Sequence, residues 1–482
     1  MASHPNVASA RSARSAGSAR AAPSAPTAAT RSSSAPGSAL RRASRARRSR
    51  SPGTRAVQRS GLRGATFLAA AVALASAAWA ATLPPTPSTP ATLPTAPASS
   101  TPPLGAPGRT AEPGGASAAL GSIVAAIRSE QAVPALAGAL WDSGKLVGIA
   151  AEGVRCHGAP ENVGVEDRWH IGSCTKAMTA TLCAILVAEG SISWSTTLED
   201  ALPELAGRMR PEFRAVTLRE LLAMRGRVAA HPSNAAWAEA WSGGGTAVEA
   251  RQRFVERALV EGEPLAAGVF EYSNTSYAIV GHLCERAANR EFEALLLEKL
   301  ARPLGITTLG FGAPPSGNPC GHAAEPPARE GDGTERRLRA VAPGPLGDNP
   351  PAIAPAGRVH LSLGDWLRFL AAHADGQRSG CAALGLDAEM FRFLHAEIPS
   401  TSQGDAPSPA RRYALGWAIA DAPPAGPILM HDGSNTMWYA CAWVEPETRR
   451  VVVAACNAGG DAGERAAKAL RDRLRRLRAD DR

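Results

Sequence analysis

The sequence predicts an α/β domain of the α+β kind, with one antiparallel sheet assembled from the two ends of the folded region and helices between them. Three observations predict it. Two short apolar runs, 135–140 and 146–151, flank Asp142-Ser143-Gly144, whose residue types suit the tight turn of a hairpin. β-rich segments return only near the end, at 413–419, 428–430, 437–444 and 449–455, separated by Gly, Pro, Asp or Asn. Between these groups, 195–300 carries mostly helical periodicity, as in Leu218-Arg219-Glu220-Leu221-Leu222 and 278–288. Early and late strands make one sheet only if the two ends of the domain meet.

At 482 residues the chain can bury a large core. Its formal net charge of +9 misleads, because fourteen arginines and no acidic residue lie up to Arg109, and the remainder carries −5. The folded part therefore lacks the basic surface a nucleic-acid partner needs. Residues 1–62 are Ala, Ser, Arg and Pro almost without large apolar side chains, a composition that cannot offset the entropy of folding. Arg55, Arg59 and Arg63 then precede the apolar run 65–80, which ends in Ala78-Trp79-Ala80. Basic, apolar, then small-x-small is the order of a secretory signal, here over 63–81. The run is short for a membrane span, so the expectation is export to a periplasmic or secreted location, with retention as an N-terminal membrane tether as the alternative. The long extension in front of a signal puts the expected true start downstream, at about Val57. A transit peptide is the lesser reading of such a leader. Residues 82–116, rich in Pro, Thr, Ala and Ser, form an extended linker.

The folded domain is expected over 117–478. Its first helix begins near Ser117 with Leu120, Ile123, Val124 and Ile127 on one face. Pro and Gly mark 313–355 as long loops, and a last helix covers about 462–478. Of eight cysteines, Cys174, Cys183, Cys441 and Cys456 fall in core-like segments. Cys156, Cys320 and Cys381 lie in loop-like surroundings and are the disulfide candidates. No Cys/His spacing resembles a zinc site, and neither a metal nor an organic cofactor is expected.

The chemistry starts at Trp169-His170-Ile171-Gly172-Ser173-Cys174-Thr175-Lys176, followed by an apolar run to Gly190. This reads as a buried helix with Ser173 in its first turn and Gly190 at its end. A three-residue step puts Lys176 on the same face as Ser173, one turn below it. Serine is a weak nucleophile unless a neighbour takes its proton, and lysine can do so only if burial lowers its pKa from about 10.4. The chain holds four lysines, at 145, 176, 299 and 468, against 48 arginines. Where any surface cation would serve it uses Arg, so a lysine kept on an apolar helix stands out. The helix N-terminus adds N–H groups that steady a developing oxyanion.

Two further pieces are Phe270-Glu271-Tyr272-Ser273-Asn274, leading into a helix, and Met430-His431-Asp432-Gly433-Ser434-Asn435, read as the link between two strands. Each piece alone also fits ordinary structure: an N-cap serine, a packed tyrosine, a turn histidine, and for the last two taken singly that is the preferred reading. Together, S-x-x-K, Y-x-N and H-x-G in this order resemble the penicillin-recognising serine hydrolases, in the branch of class C β-lactamases, D-alanyl-D-alanine peptidases and related esterases. The resemblance runs from about 118 to 475. It extends over Thr217-Leu218-Arg219-Glu220-Leu221-Leu222, Arg302-Pro303-Leu304-Gly305-Ile306, Pro355-Ala356-Gly357 and Leu415-Gly416-Trp417.

The resemblance implies a β-lactamase-like fold, the antiparallel sheet flanked by helices plus an all-helical subdomain, with the site in the cleft between them. It makes Ser173 the nucleophile of an acyl-enzyme and Lys176 the acceptor of its proton. Tyr272 is then the phenol that shuttles a proton to the leaving group, and His431 sits beside it near a substrate carboxylate. Among substrate-binding residues, Asn274 holds Lys176 and the substrate amide. Gly433 leaves room for the acyl group, and the N–H of Ser434 joins that of Ser173 in the oxyanion hole. Asp432 departs from the lactamase-like pattern, which has a hydroxyl close to the substrate carboxylate. An acid there repels an anionic substrate at a cost of order 1 kcal/mol or more. Together with histidine rather than lysine at 431, it favours the esterase and peptidase members over an efficient β-lactamase. Met437, near where relatives often have glycine, is expected to narrow the pocket beside the sheet edge. The implied partner is a small-molecule or peptide substrate, with peptidoglycan fragments one source. The competing reading from another class is a non-catalytic protein that holds peptidoglycan in the same cleft.

Overall fold

The computed structural model describes residues 115–231, 233–324, 337–342, 347–398 and 412–477. The leader, the signal or anchor segment and nearly all of the linker lie outside the described residues. The two ends of the domain meet in a six-stranded antiparallel sheet of order β2-β1-β11-β10-β9-β8. Its strands are β1 (Ala135–Asp142), β2 (Lys145–Gly153), β8 (Ala418–Asp421), β9 (Pro427–Ser434), β10 (Tyr439–Glu445) and β11 (Arg450–Cys456). The β1–β2 turn holds Ser143 at φ 51° and Gly144 at φ 85°, the pair of positive values that matches the right-handed twist of the flanking strands.

Both sheet faces are covered, so the strands are apolar on both sides. On one face α1 (Gly115–Glu130) and the C-terminal helix lie over Leu136, Leu140, Trp443, Val452 and Ala454. The other face, with Ala137, Ala139, Ala442, Val444 and Val453, joins the main core. That core includes α2 (Thr175–Ala188), α3 (Ala247–Val260), α4 (Asn274–Ala288) and α5 (Leu363–Ser379). The C-terminal helix, α6 (Gly460–Arg475), approaches β1 closely. A Cβ at Gly138 would stand 2.7 Å from Leu470 Cδ2.

The stretch between the strands folds as the periodicity predicts, into α3, α4 and shorter helices with built N-termini. Thr217 with Glu220 and Thr246 with Glu249 form reciprocal capping boxes. The buried Arg251 of α3 is paired with Glu285 and Glu293 and ties α3 to α4 and the turn after it. The small strands β3 (Arg168–His170), β4 (Gly310–Phe311) and β7 (Val359–Ser362) pair antiparallel beside the helical part.

Three expectations need correcting. Residues 313–355 are not wholly loop, because β5 (Gly321–Ala324) pairs with β6 (Leu338–Val341). The segment 413–419 is mostly a turn, since Gly416, at φ 83°, presses against Lys176 O and Ala177 of α2 and the strand begins only at Ala418. His431 to Ser434 are not a link between strands. They continue β9, because the ladder with β10 extends as far as Ser434 opposite Tyr439. The turn comes afterwards, where Asn435 Oδ1 accepts from Met437 N at 3.3 Å and Trp438 N at 3.2 Å.

Candidate active site

Ser173 sits in a 3₁₀ turn, Gly172–Cys174, that leads directly into α2. Every side chain of α2 from Thr175 to Leu186 is buried, which is why an unbroken apolar run suits it. Lys176 is 0% exposed. Its Nζ lies 3.0 Å from Ser173 Oγ, 2.7 Å from Asn274 Oδ1 and 2.8 Å from the Ala356 carbonyl. All three neighbours are uncharged. Asn274 Oδ1 and the Ala356 carbonyl accept from the amine, and the Ser173 hydroxyl is within hydrogen-bond reach of it. Burial drives its pKa well below the ordinary lysine value.

Asn274 reaches Lys176 because it is the first residue of α4, whose N-cap Ser273 accepts from Ser276 N at 3.0 Å. Tyr272 stands just outside that cap, with Lys176 Nζ 4.8 Å from its ring centroid. Burial pushes the phenol well up, against a hydrogen bond with Ser173 that pulls it down, so it stays protonated.

β9 carries the third group. Alternation along the strand turns His431 and Gly433 toward the Ser173 turn. A Cβ at Gly433 would lie 2.0 Å from Ile171 O and 2.7 Å from Ser173 N, and one at Gly172 would lie 2.4 Å from Ser434 N. Two backbones in such contact admit only glycine, and the contact sets the Ser173 turn directly against the end of β9 that carries Ser434. His431 is lowered to about 4, by burial first and by Lys176 second, and is neutral at pH 7. Its Nδ1–H donates to Asp432 O at 2.7 Å, which leaves Nε2 to accept from the Tyr413 hydroxyl at 3.1 Å.

Asp432 corrects the sequence reading. The same alternation that aims its neighbours at the cleft turns its carboxylate to the opposite face, where it pairs with Lys468 at 3.2 Å and Arg471 at 3.9 Å on α6. It is not a bare charge facing a substrate. Met437 is likewise buried, close under Gly321 of β5, and its carbonyl accepts from His322 N at 3.0 Å.

Ser173, Lys176, Tyr272, Asn274, His431, Gly433 and Ser434 thus come together, and Asp432 does not. The sequence reading missed Tyr413 and the Ala356 carbonyl. A signal for the first existed: the chain has four tyrosines, and Tyr272, Tyr277 and Tyr413 all gather here, with the rings of Tyr272 and Tyr413 6.4 Å apart. Of the cysteines, Cys156 and Cys320 form a disulfide, whereas Cys381 is free and buried. Among the described residues no group of three or more His, Cys, Asp or Glu is placed to hold a metal.

Comparison with known proteins shows the family. The Beta-lactamase family model matches residues 120–476. The chain belongs to the beta-lactamase family. A relative in Amycolatopsis lactamdurans, penicillin-binding protein 4, is 28% identical over 339 residues, covering 69% of this chain and 83% of that one. Two solved structures share the fold. An octameric penicillin-binding protein homologue from Pyrococcus abyssi has a TM-score of 0.57 at 22% identity, over 74% of this chain and 76% of that one. A D-alanine carboxypeptidase AmpC from Burkholderia cenocepacia has a TM-score of 0.54 at 21% identity, over 73% and 97%. This β-lactamase-like chain is accordingly a serine hydrolase of that family.

Proposed function

We propose that the protein is an exported serine hydrolase that works through an acyl-enzyme on Ser173 and acts on an ester, amide or peptide. The observation that carries this is the fully buried Lys176 amine, its pKa driven well below the ordinary lysine value, 3.0 Å from Ser173 Oγ. Lys176 takes the hydroxyl proton as Oγ attacks the substrate carbonyl, and Asn274 and the Ala356 carbonyl hold the amine in place while it does so. The carbonyl oxygen, as it gains charge, is received by the N–H groups of Ser173 and Ser434. Tyr272, protonated and between Lys176 and His431, passes the proton to the leaving group. Water then releases the acyl group along the same path. His431 accepts from Tyr413 and so keeps the far side of the cleft uncharged.

A neutral His431 places no cation where a lysine would attract a substrate carboxylate, which supports neutral ester or amide substrates. One observation favours a second reading, a β-lactamase or D-alanyl-D-alanine carboxypeptidase. With Asp432 paired to Lys468 on the far face, the electrostatic objection to an anionic substrate is gone. The relatives named penicillin-binding protein and D-alanine carboxypeptidase point the same way. Export, whether by cleavage after 80 or with 65–80 kept as a tether, rests on the composition of the leader.

Mass spectrometry of the protein after incubation with benzylpenicillin and, separately, with p-nitrophenyl acetate is the test. The expected result is an acyl adduct on Ser173 or a burst of nitrophenol, abolished by Ser173→Ala. Turnover that survives Ser173→Ala refutes the mechanism. No adduct and no burst with either reagent would favour the non-catalytic peptidoglycan binder.

A further inference from the structure

We infer that His170 is a positioning residue for the nucleophile turn, held in one tautomer by Asp348 so that its ring anchors the peptide N–H preceding Ser173. The inference rests on the reading of Ser173 as nucleophile. Gly172 is the pivot of that turn. It sits at φ 50° and is wedged against Ser434 N, the second proposed oxyanion donor. Both of its polar backbone groups are held by side chains. Its carbonyl accepts from Thr175 Oγ1 at 2.7 Å, and its N–H donates to His170 Nδ1 at 3.1 Å. A ring nitrogen that faces an N–H donor must carry a lone pair, so the imidazole hydrogen is on Nε2. There it is donated to Asp348 Oδ1 at 2.8 Å, while Asp348 Oδ2 accepts from Arg358 Nε at 2.6 Å.

His170 is 1% exposed and stacks on Trp438, ring centroids 5.6 Å apart, at the turn that follows β9. It therefore touches both walls of the oxyanion site without reaching the cleft. Its strand neighbour His360 plays no part, since its Nδ1 is engaged by Gly312 O at 2.8 Å. The opposite tautomer of His170 would set N–H against N–H and push the Gly172 peptide away. Asp348→Asn, of the same shape, invites that tautomer, because its single amide oxygen cannot serve both Arg358 and His170 and its NH₂ then faces His170 Nε2.

The experiment uses the full-length chain and p-nitrophenyl acetate, reading the burst rate, KM and melting temperature. Asp348→Asn and His170→Phe are expected to slow acylation roughly 10- to 100-fold with KM within about threefold, the scale of a small misplacement of reacting groups. His170→Asn, whose Oδ1 can still accept the Gly172 N–H, is expected to recover to within about fivefold of the parent. Burst rates within twofold of the parent in the first two variants, or a loss in His170→Asn equal to that in His170→Phe, overturn the inference. Should a variant fail to fold, ¹⁵N spectra of the parent decide: an unprotonated His170 Nδ1 supports it and a protonated Nδ1 overturns it. If the parent itself gives neither burst nor Ser173 adduct, the nucleophile reading falls and this inference with it. A parent burst with unaffected variants removes the positioning role alone.

Discussion

Lys176 and Lys468 lie on opposite faces of the same sheet, and their surroundings make them different chemical groups. Lys176 is sealed in the core among uncharged partners, and burial drives its pKa down. Lys468 is also partly buried, but Asp432 at 3.2 Å and Glu464 at 2.6 Å outweigh the desolvation and raise it. The first is the proposed base and the second a structural cation. One strand separates them: β9 presents His431 and Gly433 to the first lysine's side and Asp432 to the second's. The lesson is that neither residue type nor burial alone decides a lysine's role; burial without an acid does.

The largest expected effect tests that contrast directly. Lys176→Met should lower kcat/KM for p-nitrophenyl acetate by about 10³-fold or more, whereas Lys468→Met should change it less than about threefold. Equal losses at the two sites would break the comparison. Next in size is the response to acid. His431 and His360 sit at about 4 and His395 at about 3 in the folded chain, below the unfolded value of about 6.5. As pH falls below about 6.5 the unfolded chain binds protons that the native state refuses, so stability declines between pH 6.5 and 4. Each group whose folded value is about 4 contributes about 3 kcal/mol of that loss by pH 4. A melting temperature that stays level from pH 7 to 4.5 would contradict the buried neutral histidines.

A third effect belongs to the glycine where β9 meets the Ser173 turn. Gly433→Ala puts a methyl group 2.0 Å from Ile171 O, and the backbone must shift, at about 1–3 kcal/mol in urea unfolding, with a larger proportional loss of burst rate. The smallest effect is expected on the charged side of the sheet. Asp432→Asn should cost under about 1 kcal/mol, as partly exposed pairs do, and should leave the ratio of kcat/KM for an anionic and a neutral nitrophenyl ester unchanged. A tenfold gain for the anionic ester would mean that Asp432 does face substrate.

Much of the site is legible because it is built from short spacings. A three-residue step on a helix sets Ser173 beside Lys176, a capped helix start sets Asn274 after Tyr272, and a two-residue step on a strand sets His431 and Gly433 on one face. The hairpin turn, the capping boxes and the apolar faces of α1 and α2 are local in the same way. What the sequence hides is every pairing across the fold. His170 and Asp348 are 178 residues apart, and Cys156 and Cys320 are 164 apart. Asp432 is misread for a subtler reason: His431 to Ser434 look like a link between strands, and without the β9–β10 ladder there is no alternation to say which face a side chain takes.

By itself, then, the chain's order of residues determines the sheet built from both ends, the helical insert and the three motif pieces, because periodicity and capping act within a few residues. Tertiary structure alone decides that the Ala356 carbonyl supports Lys176 and that Tyr413 serves His431. It alone decides that Asp432 belongs to the charged pairs of α6 rather than to the cleft. Those outcomes depend on which distant segment fills the neighbouring space, and in a close-packed interior that choice is made by the whole fold at once.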